Sequence, residues 1–494
     1  MPDLFAQDAK KPSLVNVASK AYRKVALYQA GAYTATLTYN NGTKTTASWL
    51  VRDLETVAKT KNVVLFIGDG MTTNMISAAR LIAHKTVNGR YQSKLQMDKF
   101  PVLGHQMTHS IDSFITDSAN SATALYTGHK STVNALGVYR DSSKDPFDDP
   151  KFETIAEIFQ RLTGGGVGIV STAFLADATP AAMTAHTALR AEYGHVIDTF
   201  LNGITNYTWT NWTGPDVLLG GGAENFLPGK TSYKGQDYYK LFGDRGYKVV
   251  LNNTALSATP STEKTLGVFA VENMNVWLDR NVYKNNGANK EKAPDGSKKN
   301  ATDQPGLKEM TLKALDILHA RHSDKGFLLM SEAASIDKQM HTLDYDRALG
   351  DLLELDDTVK ATFQKLKDLG SDKETLVLVT ADHGHGFDVA GSVDTKYLDA
   401  QKTDREKRGA IGTYAESGLS QYVIASNASD GLQFSEGQSF PANWDPRYLP
   451  TFPVPPCPPF VPFCSRNLSG IGSQIHTLLR RGREPGSPRE LQGA

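Results

Sequence analysis

The sequence predicts an α/β protein with a central, mostly parallel sheet sandwiched between helices and a small N-terminal β appendage. Two observations support this fold class. From Lys61 onward, short apolar runs alternate with helix-like segments, as in a doubly wound parallel sheet. Before that point, residues 14–57 alternate apolar and polar positions, which indicates half-buried strands. The change of pattern predicts an appendage or linker over residues 1–57 and a larger α/β domain over residues 58–447.

The strands follow from local patterns. Tyr33–Tyr39 and Thr43–Ala47 flank Asn40-Asn41-Gly42, and this combination predicts a β-hairpin. Four largely apolar runs in the larger domain predict buried parallel strands covered on both faces. These runs are Asn62–Ile67, Gly168–Thr172, Gly326–Met330 and Thr375–Thr380. Each is followed by polar residues, at the carboxyl ends of strands where such sheets bind ligands.

Composition narrows the class of protein. The 494 residues carry 53 basic and 53 acidic side chains, and this balance argues against a nucleic-acid-binding protein. No apolar run reaches the roughly 18–20 residues of a transmembrane helix, and the first residues lack the apolar core of a signal peptide. Seven N-glycosylation patterns nevertheless favour a secreted, vacuolar or periplasmic-type destination. They begin at Asn41, Asn206, Asn211, Asn252, Asn300, Asn427 and Asn467.

The end of the chain differs from the rest. Residues 450–462 hold seven prolines, and the residues after them show no core pattern. Cys457 and Cys464 lie close together there and do not make a disulfide framework. Such composition predicts a disordered tail over residues 448–494.

The first two polar clusters contain a carboxylate and a hydroxyl. Asp69 lies between Gly68 and Gly70, so the backbone can turn sharply and expose the carboxylate, or Asp69 simply caps a turn. Ser118 begins an Ala-rich segment that favours helix. A helix N-terminus there would attract an anion, although Asp117 or Ser118 could equally be a structural N-cap.

The third cluster is Asp177-Ala178-Thr179-Pro180. Thr179 suits an N-cap and Pro180 the first helical position, so a helix is predicted to run to about Arg190. The Arg190 guanidinium could bind phosphate through two hydrogen bonds. The alternative is a solvated charge on a helix.

The remaining clusters hold candidate metal ligands. Asp337 and His341 are four residues apart, so a helix would place them on one face. Carboxylate with imidazole suits zinc, and Glu332 could hold a harder ion such as magnesium. Asp382 and His383 follow the last predicted strand and also suit a metal, although loop histidines are the alternative. Together the clusters predict metal-assisted chemistry on a phosphate ester.

The chain resembles the alkaline phosphatase family from about Asn62 to Ile424, and it looks like a fungal-type member. Five segments carry the resemblance. They are Gly68-Asp69-Gly70-Met71, Thr116-Asp117-Ser118-Ala119, Asp177-Ala178-Thr179-Pro180-Ala181-Ala182, Glu332-Ala333-Ala334-Ser335-Ile336-Asp337 and Thr380-Ala381-Asp382-His383. The resemblance implies a catalytic domain over residues 58–447, with a mixed sheet between helices and a homodimeric assembly.

The resemblance also implies site roles. Ser118 would be the nucleophile that forms a phosphoseryl intermediate, and Arg190 would bind the phosphate of monoesters or inorganic phosphate. Two zinc ions and one magnesium ion are implied. One zinc would be held by Asp69, Asp382 and His383, the other by Asp337 and His341, and magnesium by Asp69, Thr179 and Glu332. Asp177 and Lys338 match a bacterial-style variant in which they act through water.

One family feature has no clear counterpart. The second zinc of the family has a third protein ligand, a histidine well downstream of the Asp382-His383 pair. His476, in Gln474-Ile475-His476-Thr477-Leu478, is one candidate, and His385 is a possible substitute. A phosphate- or metal-binding descendant without strong activity is therefore the alternative function. A related phosphodiesterase or sulfatase is a third interpretation, which the Asp-Ser-Ala segment with Asp177 and Lys338 disfavours.

Overall fold

A computed structural model describes residues 27, 29–39, 42–51, 60–83, 94–204, 207, 211–284, 293–387, 400 and 402–403. The chain divides into two compact units, Met1–Lys61 and Asn62–Ala494. In the first unit, β1 (Gly31–Tyr39) and β2 (Thr43–Val51) pair antiparallel, with Tyr39 opposite Thr43. The predicted hairpin is therefore confirmed.

The second unit is built on a seven-stranded sheet with the order β6-β7-β5-β4-β8-β3-β9. Its six strand pairings are all parallel among the described residues. The strands are β3 (Asn62–Gly68), β4 (Gly166–Phe174), β5 (Val217–Gly221), β6 (Lys248–Val250), β7 (Thr265–Val268), β8 (Phe327–Ala333) and β9 (Thr375–Ala381).

Helices connect these strands, as parallel pairing requires. They are α1 (Thr73–Ala83), α2 (Ser118–Thr127), α3 (Ile155–Thr163), α4 (Ala178–Ala181), α5 (Tyr193–Asn202), α6 (Tyr238–Asp244), α7 (Asn253–Ala258), α8 (Trp277–Asn281), α9 (Leu307–His322), α10 (Ser335–His341) and α11 (Tyr345–Asp368). In the described segments no helix is both long and apolar enough to cross a membrane.

Side chains on alternate positions of the central strands enter two separate cores. In β8, Phe327 and Leu329 pack into one core with α1, α9 and α11, whereas Leu328 and Met330 pack into the other with α2 to α6. Successive residues of a strand point to opposite faces, so a strand covered on both sides must be apolar at every position. This is why the strand appears in the sequence as one uninterrupted apolar run.

The structure confirms the predicted fold class, and the four predicted strands correspond to β3, β4, β8 and β9. The mixed sheet implied by the resemblance is not seen among the described strands, which pair only in parallel. The boundaries of the catalytic domain stay predictions. The predicted tail, residues 448–494, lies outside the described residues.

Candidate active site

Three neighbouring strands, β8, β3 and β9, bring several of the predicted site residues to one edge of the sheet. Gly68 of β3 aligns with Ala333 of β8 and Ala381 of β9, so these strands end level with one another. Asp69 and Asp382 directly follow β3 and β9, and Glu332 is the penultimate residue of β8. Parallel pairing thus gathers residues that are more than 200 positions apart in the chain.

Ser118 is the first residue of α2 and faces a group of ligand-type atoms. Its Oγ lies 3.1 Å from Nε2 of His383. That nitrogen also lies 3.4 Å from Asp69 Oδ1 and 3.3 Å from Asp382 Oδ2. Nδ1 of His383 lies 2.9 Å from the Gly384 carbonyl oxygen. A proton on Nδ1 donated to that carbonyl leaves the Nε2 lone pair directed at Ser118 and the carboxylates.

The residues Asp69, Asp382 and His383, called the serine-side group below, fit a cation. Asp69 Oδ1 is buried and accepts no hydrogen bond within the described residues. Burial raises the pKa of Asp69, and the charges of Asp337 and Asp382 raise it further. Two ligand atoms bound tetrahedrally to one zinc are about 3.3 Å apart, which is close to the distances around His383 Nε2.

A second group lies on the other side of Asp69. Asp337 and His341 occupy one face of α10, with 3.2 Å between Asp337 Oδ2 and His341 Nε2. His385 approaches from the segment after β9, with its Nε2 3.4 Å from Asp337 Oδ1. One ligand atom from each of these three residues lies within 4.8 Å of the others. Asp337, His341 and His385 are called the helix-side group below.

Gly70 lies between the two groups, at a position that requires glycine. Its φ is +66°, a left-handed conformation that side chains rarely adopt. A Cβ atom there would meet Asp337 Oδ1 at 3.1 Å and His385 Cδ2 at 3.3 Å. The Gly70 amide donates to Asp382 Oδ1 at 3.1 Å, so this turn also holds the serine-side group.

Glu332 and Thr179 lie deeper in the edge of the sheet, and both are buried. The pKa of Glu332 is raised to about 8. Burial is the main cause, and the hydrogen bond from Ser171 partly opposes it. Thr179 Oγ1 is buried and makes no hydrogen bond to any described residue. A buried carboxylate and a buried hydroxyl supply oxygen ligands of the kind that magnesium prefers.

Arg190 and Lys338 share one carboxylate. Asp177 Oδ1 lies 2.6 Å from Arg190 Nη2, and its Oδ2 lies 2.7 Å from Lys338 Nζ. Arg190 Nη1 also contacts Asp117 Oδ2 at 3.2 Å. Burial alone would raise the pKa of Asp177, but the two cations outweigh it and the pKa is lowered. These ion pairs hold the Arg190 guanidinium in a fixed position. One of its partners, Asp117, directly precedes Ser118 in the chain.

Two local predictions around this cluster are wrong. The N-cap of α4 is Asp177, whose Oδ1 accepts from the Ala178 amide at 2.8 Å, and not Thr179. The helix ends at Ala181 and does not run to Arg190. Thr187 instead exchanges backbone hydrogen bonds of 2.8 and 2.9 Å with Leu136. This long-range pairing competes with helix continuation and leaves Arg190 on a turn.

Ser118 follows an N-cap, as the structural alternative proposed, because Asp117 accepts from the Asn120 amide at 3.1 Å. The cap also places Ser118 at the helix N-terminus, so both interpretations hold together. Sequence reasoning missed Ser121, whose Oγ donates to Asp382 Oδ2 at 3.2 Å. Its spacing of three residues from Ser118 on a helix was the available signal. His476 lies outside the described residues.

The parallel sheet and the ligand groups at its edge are typical of α/β enzymes with metal centres. Comparison with known proteins identifies the family within this class. The family model for alkaline phosphatase matches residues 60–435, and a model for a PhoA-like N-terminal domain matches residues 1–52. Alkaline phosphatase H of Pseudomonas aeruginosa (strain UCBPP-PA14) is 35% identical over 354 residues, which cover 67% of this chain and 71% of that protein.

Other relatives agree. Alkaline phosphatase of Escherichia coli (strain K12) is 32% identical, with 73% of this chain and 78% of that protein covered. Streptomycin-6-phosphate phosphatase of Streptomyces griseus is 34% identical, with coverages of 67% and 75%. The crystal structure of Thermus thermophilus alkaline phosphatase matches the fold with a TM-score of 0.57 and 24% identity, covering 72% of this chain and 64% of that one.

The chain therefore belongs to the alkaline phosphatase family, and it is a phosphatase. Membership implies metal cofactors, which accords with the two ligand groups at the sheet edge. The fungal-type assignment stays a prediction.

Proposed function

We propose that this protein hydrolyses phosphate monoesters through a phosphoseryl intermediate on Ser118, with two zinc ions and one magnesium ion bound. The observation that supports this most directly is the 3.1 Å contact between Ser118 Oγ and His383 Nε2, inside the serine-side group. No observation favours the weakly active descendant, since the relatives named above are phosphatases.

The donor atoms suggest how the ions are distributed. The serine-side group would hold one zinc, and Asp337 with His341 would hold the other. Asp69, Thr179 and Glu332 would hold magnesium, and the buried Thr179 Oγ1, which makes no hydrogen bond among the described residues, supports that assignment. A bound divalent ion supplies Lewis acidity, which lowers the pKa of a nearby hydroxyl and offsets charge on phosphoryl oxygens.

The chain's own residues account for the remaining parts of the proposal. Ser118 Oγ attacks phosphorus, the bond from phosphorus to the alcohol oxygen breaks, and the proton of the serine hydroxyl leaves with the alcohol. Water then attacks the phosphoserine, which restores the serine hydroxyl and yields inorganic phosphate. The amides at the N-terminus of α2 favour an anion beside Ser118 throughout.

Arg190 orients the phosphoryl group in this proposal. Its guanidinium can bind two oxygens at once, and Asp117 and Asp177 fix its plane before substrate arrives. Such fixed positioning is most of what phosphoryl transfer requires from a protein. Lys338, held by Asp177, adds a positive charge next to Asp337.

Replacement of Ser118 tests the proposal. Ser118→Ala removes the nucleophile, and we expect hydrolysis of 4-nitrophenyl phosphate to fall by at least about 1,000-fold. Ser142→Ala, at an exposed position, is the matched control and should retain full activity. Acid quenching in the presence of radioactive phosphate should label Ser118 in the unaltered protein. Undiminished turnover by Ser118→Ala would exclude the mechanism.

We also propose a homodimer and a secretory route to the exterior or to a vacuolar or periplasmic-type compartment. Asn211, Asn252 and Asn300, three of the seven acceptor positions, are exposed in the structure. Glycosidase digestion of the protein from its native host should lower its mass, and sedimentation should give twice the chain mass. An unchanged mass after digestion argues against glycosylation, and a single-chain sedimentation mass argues against the dimer.

A further inference from the structure

We propose that His385 is the third protein ligand of the zinc ion that Asp337 and His341 bind. This inference rests on the proposed function in one respect, because it takes a zinc ion at the helix-side group as given. It assigns to this chain a ligand that neither the fold class nor the family match identifies.

The first support is the position of the three donors. His385 Nε2 lies 3.4 Å from Asp337 Oδ1, and His341 Nε2 lies 3.2 Å from Asp337 Oδ2. The two imidazole rings stand nearly perpendicular, at 89°, with centroids 5.0 Å apart. Ligand atoms of one tetrahedral zinc are about 3.3 Å apart, so the spacing between each imidazole and the carboxylate suits one ion.

The second support is an unsatisfied buried oxygen. Asp337 Oδ1 is buried and accepts no hydrogen bond from the described residues, although His385 Nε2 is near. A buried carboxylate oxygen without a donor is costly, and a cation between the two atoms removes that cost.

The third support is the number of ligands. Two protein ligands make a weak zinc site, whereas catalytic zinc commonly has three and keeps one position open. Among the described residues, His385 offers a third ligand atom beside Asp337 and His341. The one histidine after it in the chain, His476, lies 91 positions downstream.

Coordination requires one local change. Nδ1 of His385 accepts a hydrogen bond from the Gly386 amide at 3.2 Å, which favours a proton on Nε2. Coordination through Nε2 moves the proton to Nδ1 and breaks this bond, at a cost of about 1 kcal/mol. A competing role follows from the same geometry: His385 could keep its Nε2 proton and only position Asp337.

Zinc affinity of the full chain, measured by competition with a chromophoric chelator, separates the two roles. We expect His385→Ala to lower the affinity for one of the two zinc ions by more than about 100-fold. Loss of a ligand should cost more than loss of a residue that only hydrogen-bonds to a ligand. The other zinc should keep its affinity, which also reports correct folding. His476→Ala should leave both affinities unchanged.

Two further variants complete the test. His385→Cys restores a ligand atom and should recover tight binding, with a cobalt-substituted form showing sulfur-to-metal absorption. His385→Asn keeps a hydrogen-bond donor toward Asp337 and should bind zinc as weakly as His385→Ala. Unchanged zinc affinity in His385→Ala, full affinity in His385→Asn, or loss of the second zinc in His476→Ala would each overturn the assignment. Loss of activity in Ser118→Ala with both zinc ions retained keeps the two proposals distinguishable.

Discussion

The two ligand groups at the sheet edge differ in how the fold holds them. The serine-side group follows the ends of β3 and β9, and its histidine side chain is 13% exposed. The helix-side group depends on the seven-residue helix α10, and His341, its last residue, has a side chain that is 53% exposed. The histidine that follows a strand end is therefore less exposed to solvent than the one at the end of α10.

Hydrogen bonds reinforce the difference. His383 has its Nδ1 against a carbonyl oxygen, which prepares Nε2 as a ligand, whereas Nδ1 of His385 faces an amide N–H. Asp382 accepts from two amides and from Ser121, but Asp337 Oδ1 accepts from no described group. The difference lies in the histidines: His383 Nδ1 already faces a carbonyl oxygen, whereas metal binding by His385 Nε2 would break its hydrogen bond with the Gly386 amide.

Loss of Asp382 should have the largest effect. Asp382→Ala removes a ligand and leaves the Gly70 and His383 amides without their acceptor. We expect zinc affinity at the serine-side group and phosphatase activity both to fall by more than about 100-fold. Zinc competition and initial rates measure this. The exposed Asp324→Ala is the control, and equal loss of zinc from both groups would contradict their independence.

Gly70→Ala should have an intermediate effect, confined to the helix-side group. The new Cβ lies 3.1 Å from Asp337 Oδ1 and 3.3 Å from His385 Cδ2, in a strained backbone conformation. Gly128→Ala is matched for strain, since its φ is +73° and nothing lies within 4 Å of the added atom.

Each variant should lose about 1–2 kcal/mol of unfolding free energy from the left-handed backbone. Beyond that, Gly70→Ala should bind the second zinc about 10-fold more weakly. Denaturant unfolding and zinc competition separate the two effects. Identical zinc affinities in Gly70→Ala and Gly128→Ala would show that the Asp337 contact is irrelevant.

Ser121→Ala should have the smallest effect. It removes one hydrogen bond to Asp382 Oδ2, and we expect a loss of about 1 kcal/mol in unfolding free energy. Zinc affinity at the serine-side group should fall by about 10-fold, with the helix-side group unaffected. Ser142→Ala provides the baseline for both measurements. A larger loss than in Asp382→Ala would reverse the proposed order.

Sequence patterns predicted β3, β4 and β8 well because their largely apolar residues enter two cores. They also predicted β9, although its Leu376 and Leu378 are partly exposed and not covered as expected. They did not reveal β5 to β7, short strands such as Lys248–Val250. The helix predicted up to Arg190 was wrong because Thr187 pairs with Leu136, a contact that local propensity does not contain.

The same limit applies to the site. Asp337 and His341 could be paired in advance because helical spacing places them on one face. The approach of His385 to Asp337 depends on the turn at Gly70 and on an irregular segment after β9, which have no periodic signal. The carboxylate shared between Arg190 and Lys338 likewise depends on chain folding between distant residues.

The position of β9 has a thermodynamic consequence. Among the described strands it is one of two edge strands, paired only with β3, and Leu376 and Leu378 on it are each 43% exposed. Asp382 and His383 directly follow it. Local unfolding of that single ladder would separate two candidate ligands from the site at once, so ion binding and the pairing of this strand would be linked equilibria. A cation held by Asp382 and His383 would therefore also stabilise the pairing of β9 with β3.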